Sequence, residues 1–197
     1  MVKQGPDQTR RNLLRAATTG LGGVGLVATS IPFVQSMWPS EAAKAAGASV
    51  EVELAQAGPG TLQTVEWRGK PIWIVHRTDA MLASLDRHLD QLVDPQSMQP
   101  QQPPYATNSV RAIKPSLFVV TGICTHLGCV PVYRPEPAAA DLGSDWPGGF
   151  YCPCHGSKFD LAGRVFKNVP APRNLEIPPH TYLTDTRLLI GEDRQHT

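Results

Sequence analysis

The chain has 197 residues, 41% of them hydrophobic, enough for one globular domain of roughly 150 residues with a further segment beside it. Eighteen Lys and Arg against 17 Asp and Glu leave a formal charge of +1, and no basic stripe breaks that balance, which argues against a nucleic-acid partner. Four cysteines are too few for a disulfide-dense scaffold, and 19 prolines, most of them late in the chain, favour loops and β-structure over a helical bundle.

The N-terminal stretch reads TRRNLLRAATTGLGGVGLVATSIPFVQSMWPS. Arg10 and Arg11, preceded by Thr9 and followed by Leu13 and Leu14, look like a twin-arginine export signal. Residues 16–38 then carry no charge, long enough at about 1.5 Å per residue to cross a hydrocarbon layer about 30 Å thick. Lys3, Arg10, Arg11 and Arg15 would hold residues 1–15 on the cytoplasmic side, with Trp38 at the far interface. Gly20, Gly22, Gly23 and Gly25 would admit a second helix closely, and Pro32 should kink or end the last turns. A removed signal and a retained anchor both fit these residues, since Ala43-Lys44-Ala45 resembles a cleavage site. Either way the remainder lies beyond the cytoplasmic membrane.

Residues 39–49 read as a linker, helix or coil at little cost. Strands are expected at Val50–Leu54, around Thr61–Trp67 and at Pro71–His76. Thr78 or Asp79 should cap a helix whose Leu82, Leu85, Leu89 and Leu92 place one apolar face against a sheet. The Pro/Gln-rich run from Asp94 to Ser109 is expected as a surface loop. A buried strand, Leu117–Gly122, follows, and after residue 149 come a turn at Asp160–Gly163 and short strands at Leu175–Ile177, Tyr182–Thr184 and Arg187–Ile190. DLGSDWPGG at Asp141–Gly149 reads as a surface excursion anchored by Trp146, and His76, His88, His180 and His196 as structural or solvated. The sum is an antiparallel, all-β domain with one inserted helix.

CTHLGC at Cys124–Cys129 and CPCHGS at Cys152–Ser157 contain every cysteine and two of the six histidines. Two Cys and two His could bind a structural zinc. Four thiolates could hold an iron–sulfur cluster. Alternatively Cys124, His126, Cys152 and His155 hold a two-iron cluster while Cys129 and Cys154 form a disulfide, which alone employs all six residues and suits an oxidising compartment. Gly128 and Gly156 allow tight turns that aim amides at sulfur.

CTHLGC and CPCHGS resemble the two-loop signature of high-potential Rieske proteins. The twin-arginine segment, apolar run, linker, inserted helix and Pro170-Ala171-Pro172 resemble the iron–sulfur subunit of bacterial ubiquinol–cytochrome c reductase, so the likeness spans nearly the whole chain. It implies a small antiparallel β-sandwich head over residues 50–197, with a cluster-binding subdomain at about 122–172, behind one retained transmembrane helix. It implies one [2Fe–2S] cluster held by Cys124 and Cys152 on the buried iron and by His126 and His155 on the outer one, with Cys129 joined to Cys154. Ubiquinol, the membrane, cytochrome b and a c-type cytochrome are the implied partners within a dimeric complex, the head standing in the periplasm. A periplasmic arsenite oxidase subunit is the nearer alternative and a zinc module the outsider; a soluble Rieske ferredoxin would lack Cys129, Cys154 and the export segment.

Neutral imidazole ligands leave such a cluster less negative than four thiolates would, which raises its potential. Each bound imidazole keeps a second nitrogen for a proton, so above the oxidised-state pKa the potential should fall by about 59 mV per pH unit for each coupled proton. By the resemblance, His155 meets the quinol hydroxyl with His126 sharing the titration, and Leu127 shields the cluster and packs on a partner beside Pro170, Ala171 and Pro172. Ser157 is expected to donate its hydroxyl to a bridging sulfide. Phe159 stands where many relatives have a tyrosine that bonds a ligand sulfur, so a lower potential is expected than in those relatives.

Overall fold

The structure, a computed structural model, describes residues 7–54 and 57–193; Lys3 and His196 lie outside the described residues. The chain divides into two units, one ending at Lys44 and the other beginning at Ala45.

The first unit is dominated by helix α1, Gln8–Ser36, which takes in the two arginines as well as the charge-free run. The Asp7 carboxylate caps it by accepting the amides of Thr9 and Arg10. Inside the apolar stretch Thr29 and Ser30 turn their hydroxyls back onto the carbonyls of Gly25 and Val27, and Thr18 does so onto Leu14. Hydroxyls satisfied within their own helix can enter an apolar medium at little cost. The helix continues one turn past Pro32 and ends at Ser36, and it is long and apolar enough to span a bilayer. A second helix, α2 (Glu41–Ala46), occupies part of the linker.

Among the described residues, the second unit, the head, holds three antiparallel sheets of three strands. Strands β1 (Val50–Glu53), β8 (His180–Tyr182) and β9 (Arg187–Ile190) form the first, in the order β1-β9-β8. Strands β2 (Leu62–Trp67), β3 (Lys70–His76) and β4 (Leu117–Thr121) form the second, with β3 central. Strand β3 is buried on both faces, as its unbroken apolar run requires. Ile72 and Ile74 join Val52, Leu54, Leu188 and Ile190 in one core, while Trp73 and Val75 join Phe118, Phe150 and Phe159 in another. The sandwich is therefore made by the first two sheets.

The third sheet is β5 (Val132–Arg134), β6 (Gly149–Cys152) and β7 (Ser157–Phe159), and its β6–β7 hairpin carries the second cysteine motif. Phe150 stacks on Trp73 with ring centroids 5.3 Å apart, docking that sheet on the sandwich. Truncating a fully buried phenylalanine of this kind costs about 3–5 kcal/mol.

The inserted helix is shorter than its leucines imply. Thr78 caps it, but α3 covers only Asp79–Ser84, and a 3₁₀ turn at Leu89–Gln91 follows. The helix closes on a 3₁₀-type bond from Leu85 N to the Leu82 carbonyl, and Arg164 Nη2 satisfies the terminal Leu85 carbonyl at 2.6 Å. Leu85 packs with Leu161 and Ala162, and Leu92 with Trp146 and Phe166, so the leucines serve two separate clusters and not one face on a sheet.

The Pro/Gln-rich run also departs from a plain surface loop. Asp94, Ser97 and Ala106 are buried, and the Asp94 carboxylate accepts the amides of Met98 and Gln99. Residues 175–177 form no strand; their amides and carbonyls go singly to Gly163, Gln101 and Thr121. Strand β8 lies two residues earlier than expected, ending at Tyr182. Trp146 is buried and bonds the Arg134 carbonyl, anchoring its excursion as expected.

Candidate metal centre

Strand β4 delivers the chain into the first motif, and the β6–β7 hairpin carries the second. The two motifs fold alike. Gly128 N donates to the Cys124 carbonyl at 3.0 Å, and Gly156 N to the Cys152 carbonyl at 2.9 Å. Both glycines sit in the left-handed region, at φ +81° and +79°, which a side chain would strain.

Cys129 and Cys154 are joined in a disulfide that ties the two loops. Cys124 and Cys152 are free, each 2% exposed, and their side chains meet. Burial pushes the Cys152 thiol up, and the neighbouring Cys124 adds to this, while the amides of Cys154 and His155 directed at the sulfur pull it down. Two buried thiols side by side, with amides aimed at one of them, suit a bound cation better than free sulfhydryls. The Cys152 sulfur lies within 4.8 Å of both disulfide sulfurs, but those two are spent on each other.

The rings of His126 and His155 lie with centroids 4.8 Å apart and planes at 89°. His155 is exposed and His126 half-buried, so the imidazoles are shallower than the thiols. The donor set left by the disulfide is thus two cysteines and two histidines. These residues fit a two-Cys, two-His iron–sulfur centre.

Around the four donors, Ser157 is buried and its Oγ accepts the Ala171 amide at 3.0 Å. Ser157 pairs with Cys152 across the hairpin, and Phe159 with Phe150, so all four side chains share one face. Pro170 and Pro172 are exposed and Ala171 is buried between them. Leu127 projects at the tip, 71% exposed. Thr125 Oγ1 donates to the Arg173 carbonyl at 2.6 Å, tying the first loop to the proline segment. Sequence reasoning passed over Thr125 although it lies inside CTHLGC; its hydroxyl beside the cysteine was the available signal.

Residues 94–179 match the family model of the Rieske [2Fe-2S] domain. Residues 1–40 match the model described as the ubiquitinol-cytochrome C reductase Fe-S subunit TAT signal. The chain is 59% identical over 194 residues to the ubiquinol-cytochrome c reductase iron-sulfur subunit of Allochromatium vinosum, covering 98% of this chain and 94% of that one. It is 39% identical over 186 residues to the subunit of the same name from Blastochloris viridis, covering 94% of each. Among solved structures, one titled a hyperthermophilic respiratory Complex III aligns over 88% of this chain and 98% of its own, at 26% identity and a TM-score of 0.47. Similarity at this level over nearly the full length of both bacterial relatives settles the assignment: the chain belongs to the family of Rieske iron–sulfur subunits of ubiquinol–cytochrome c reductase.

Proposed function

We propose that Cys124 and Cys152 hold one iron and His126 and His155 the other of a single Rieske [2Fe–2S] cluster. The chain is the electron-transfer subunit that takes one electron and one proton from a membrane quinol and passes the electron to a c-type cytochrome. The observation carrying this reading is the sorting of donors by exposure, two free buried thiols and two adjacent, more exposed imidazoles, with the other cysteines joined to each other. The bound cluster supplies a one-electron acceptor of the Rieske range, about −150 to +300 mV.

The protein's own groups do the rest. His155, the more exposed imidazole, accepts the quinol hydroxyl hydrogen bond and receives its proton on the outer ring nitrogen, with His126 beside it. Leu127, Pro170 and Pro172 form the exposed docking face that excludes water, and buried Ala171 fixes its backbone. With its oxygen accepting the Ala171 amide, the Ser157 hydroxyl would donate its proton to the bound cluster.

Residues 16–38 serve as the retained membrane anchor, with 1–15 cytoplasmic and 39–49 a tether for the head, residues 50–197, in the periplasm. Cytochrome b and a c-type cytochrome are its partners within a dimeric complex. Electron paramagnetic resonance of the dithionite-reduced complex tests the site: a Rieske signal supports it, and a silent, zinc-containing protein overturns it. Co-purification with b- and c-type haem supports the partners; a molybdenum subunit in their place would assign the arsenite oxidase alternative.

A further inference from the structure

Residues 163–175 form a loop whose two ends meet. Leu175 N donates to the Gly163 carbonyl at 2.8 Å, and Val165 N to Asn174 Oδ1 at 2.9 Å. Arg111, fully buried, spans this neck. Its Nη1 bonds the carbonyls of Ala162 and Gly163 at 3.0 and 3.2 Å on one side. Its Nη2 bonds the Leu175 carbonyl at 2.7 Å on the other side and Gln102 Oε1 at 3.1 Å. The far end of the same loop bears Ala171, whose amide holds Ser157 Oγ.

Two features mark Arg111 as more than a filler of the core. Its backbone lies at φ +51°, a region that costs a non-glycine residue of order 1–3 kcal/mol and persists where the surroundings demand it. The approach at the neck is also near its steric limit. At Gly163, φ +67°, a Cβ would stand 3.2 Å from Arg111 Nη1 and 3.3 Å from Leu175 Cβ. Burial lowers the guanidinium only to about 10, so it stays cationic at neutral pH and its hydrogen bonds are charge-assisted.

We propose that Arg111 is a positioning residue for the cluster site: by clasping both ends of the 163–175 loop it seats the Ala171 amide on Ser157. With one lone pair of Oγ committed to that amide, the direction of the single hydroxyl hydrogen is restricted, and the hydroxyl is kept aimed at the cluster. This rests on the donor role of Ser157 proposed above.

The test is a redox titration of the cluster in the intact complex for wild type, Arg111→Gln, Arg111→Lys, Ser157→Ala and the Arg111→Gln/Ser157→Ala double variant. Arg111→Gln should shift the midpoint negative, in the direction of Ser157→Ala. The double variant should match Ser157→Ala alone. Arg111→Lys keeps the charge but cannot bridge both ends, so it should retain only part of the wild-type value. Exchange of the Ala171 amide should quicken at least about tenfold in Arg111→Gln. Should that variant not fold, Gln102→Ala, which removes one acceptor of the guanidinium, should give a smaller shift of the same sign. A wild-type midpoint in the folded variant, a wild-type value in Arg111→Lys, or a shift undiminished by Ser157→Ala overturns the proposal. A Ser157→Ala midpoint equal to wild type overturns it too, while leaving the cluster itself standing; only loss of the reduced-state signal in wild type would remove the cluster.

Discussion

The amide of Ala171 donates to the Ser157 hydroxyl oxygen at 3.0 Å, and this one bond joins the second cysteine motif to the proline segment. It uses the oxygen as acceptor and leaves the proton free to be given elsewhere. Ser157→Ala should therefore lower the cluster midpoint. One hydrogen bond favouring the reduced form by about 0.5–1.5 kcal/mol corresponds to roughly 20–65 mV for one electron. Spectroscopically monitored titration reads this, and an unmoved midpoint would remove Ser157 from the site.

Phe159 lies on the same face of the β6–β7 hairpin as Cys152 and Ser157, fully buried. Phe159→Tyr adds a hydroxyl at that face, and the midpoint should rise by a similar roughly 20–65 mV. An unchanged or lower value would mean that the new hydroxyl does not reach a ligand sulfur.

Cys129 and Cys154 close a loop with a sequence separation of 25. Loop entropy of that size is worth about 3–4 kcal/mol. Cys129→Ser should lower the denaturation midpoint accordingly and leave less cluster per protein, measured as iron content. Full iron loading with unaltered stability would contradict a bracing role.

His180 is buried, with Nδ1 at 2.8 Å from the Pro178 carbonyl and Nε2 without a partner among the described residues. Burial holds its pKa below the ordinary 6.5, against the weaker upward pulls of the Pro178 carbonyl and Asp193. The unfolded chain therefore binds the extra proton first as pH falls. Stability from this group is complete above about pH 6.5 and declines below it, by up to about 1.4 kcal/mol per pH unit. Denaturant melts at pH 7, 6 and 5 should show that slope. His180→Gln should reduce it without abolishing it, because His76 is shifted the same way by burial.

Leu127 is 71% exposed, so little of its side chain is buried in the fold. Leu127→Ala should leave melting temperature and reduced-state signal unchanged while slowing quinol-dependent cytochrome c reduction in the complex. A fall in stability, or unaltered turnover, would count against a docking role.

Much of this architecture could be read from residue patterns. Strand β3 showed in PIWIVH because a strand buried on both faces is apolar throughout. The Cys129–Cys154 disulfide was legible through the family resemblance that the two motifs carry, where spacing alone left three assignments open. The errors arose where distant polar groups intervene. Nothing near Leu85 announces that Arg164, 79 residues away, bonds its carbonyl just past the helix end. Likewise, the proline-rich run looks solvated until Arg111 and Asn174 are seen bonding Gln102, Ser97 and the Asp94 carbonyl. Hydrophobic periodicity reports burial of side chains, and it is blind to arginines that neutralise backbone carbonyls from far along the chain.

Each motif closes on itself with a glycine amide returning to the carbonyl of the cysteine four positions before it. What such a turn fixes is a length. Exposed Pro153 can be exchanged without disturbing the count, whereas one added or deleted residue between Cys124 and Gly128, or between Cys152 and Gly156, shifts the left-handed position onto a residue with a side chain. The two hexapeptides thus carry a ruler as well as a set of donors, and an insertion or deletion inside either would disturb both at once.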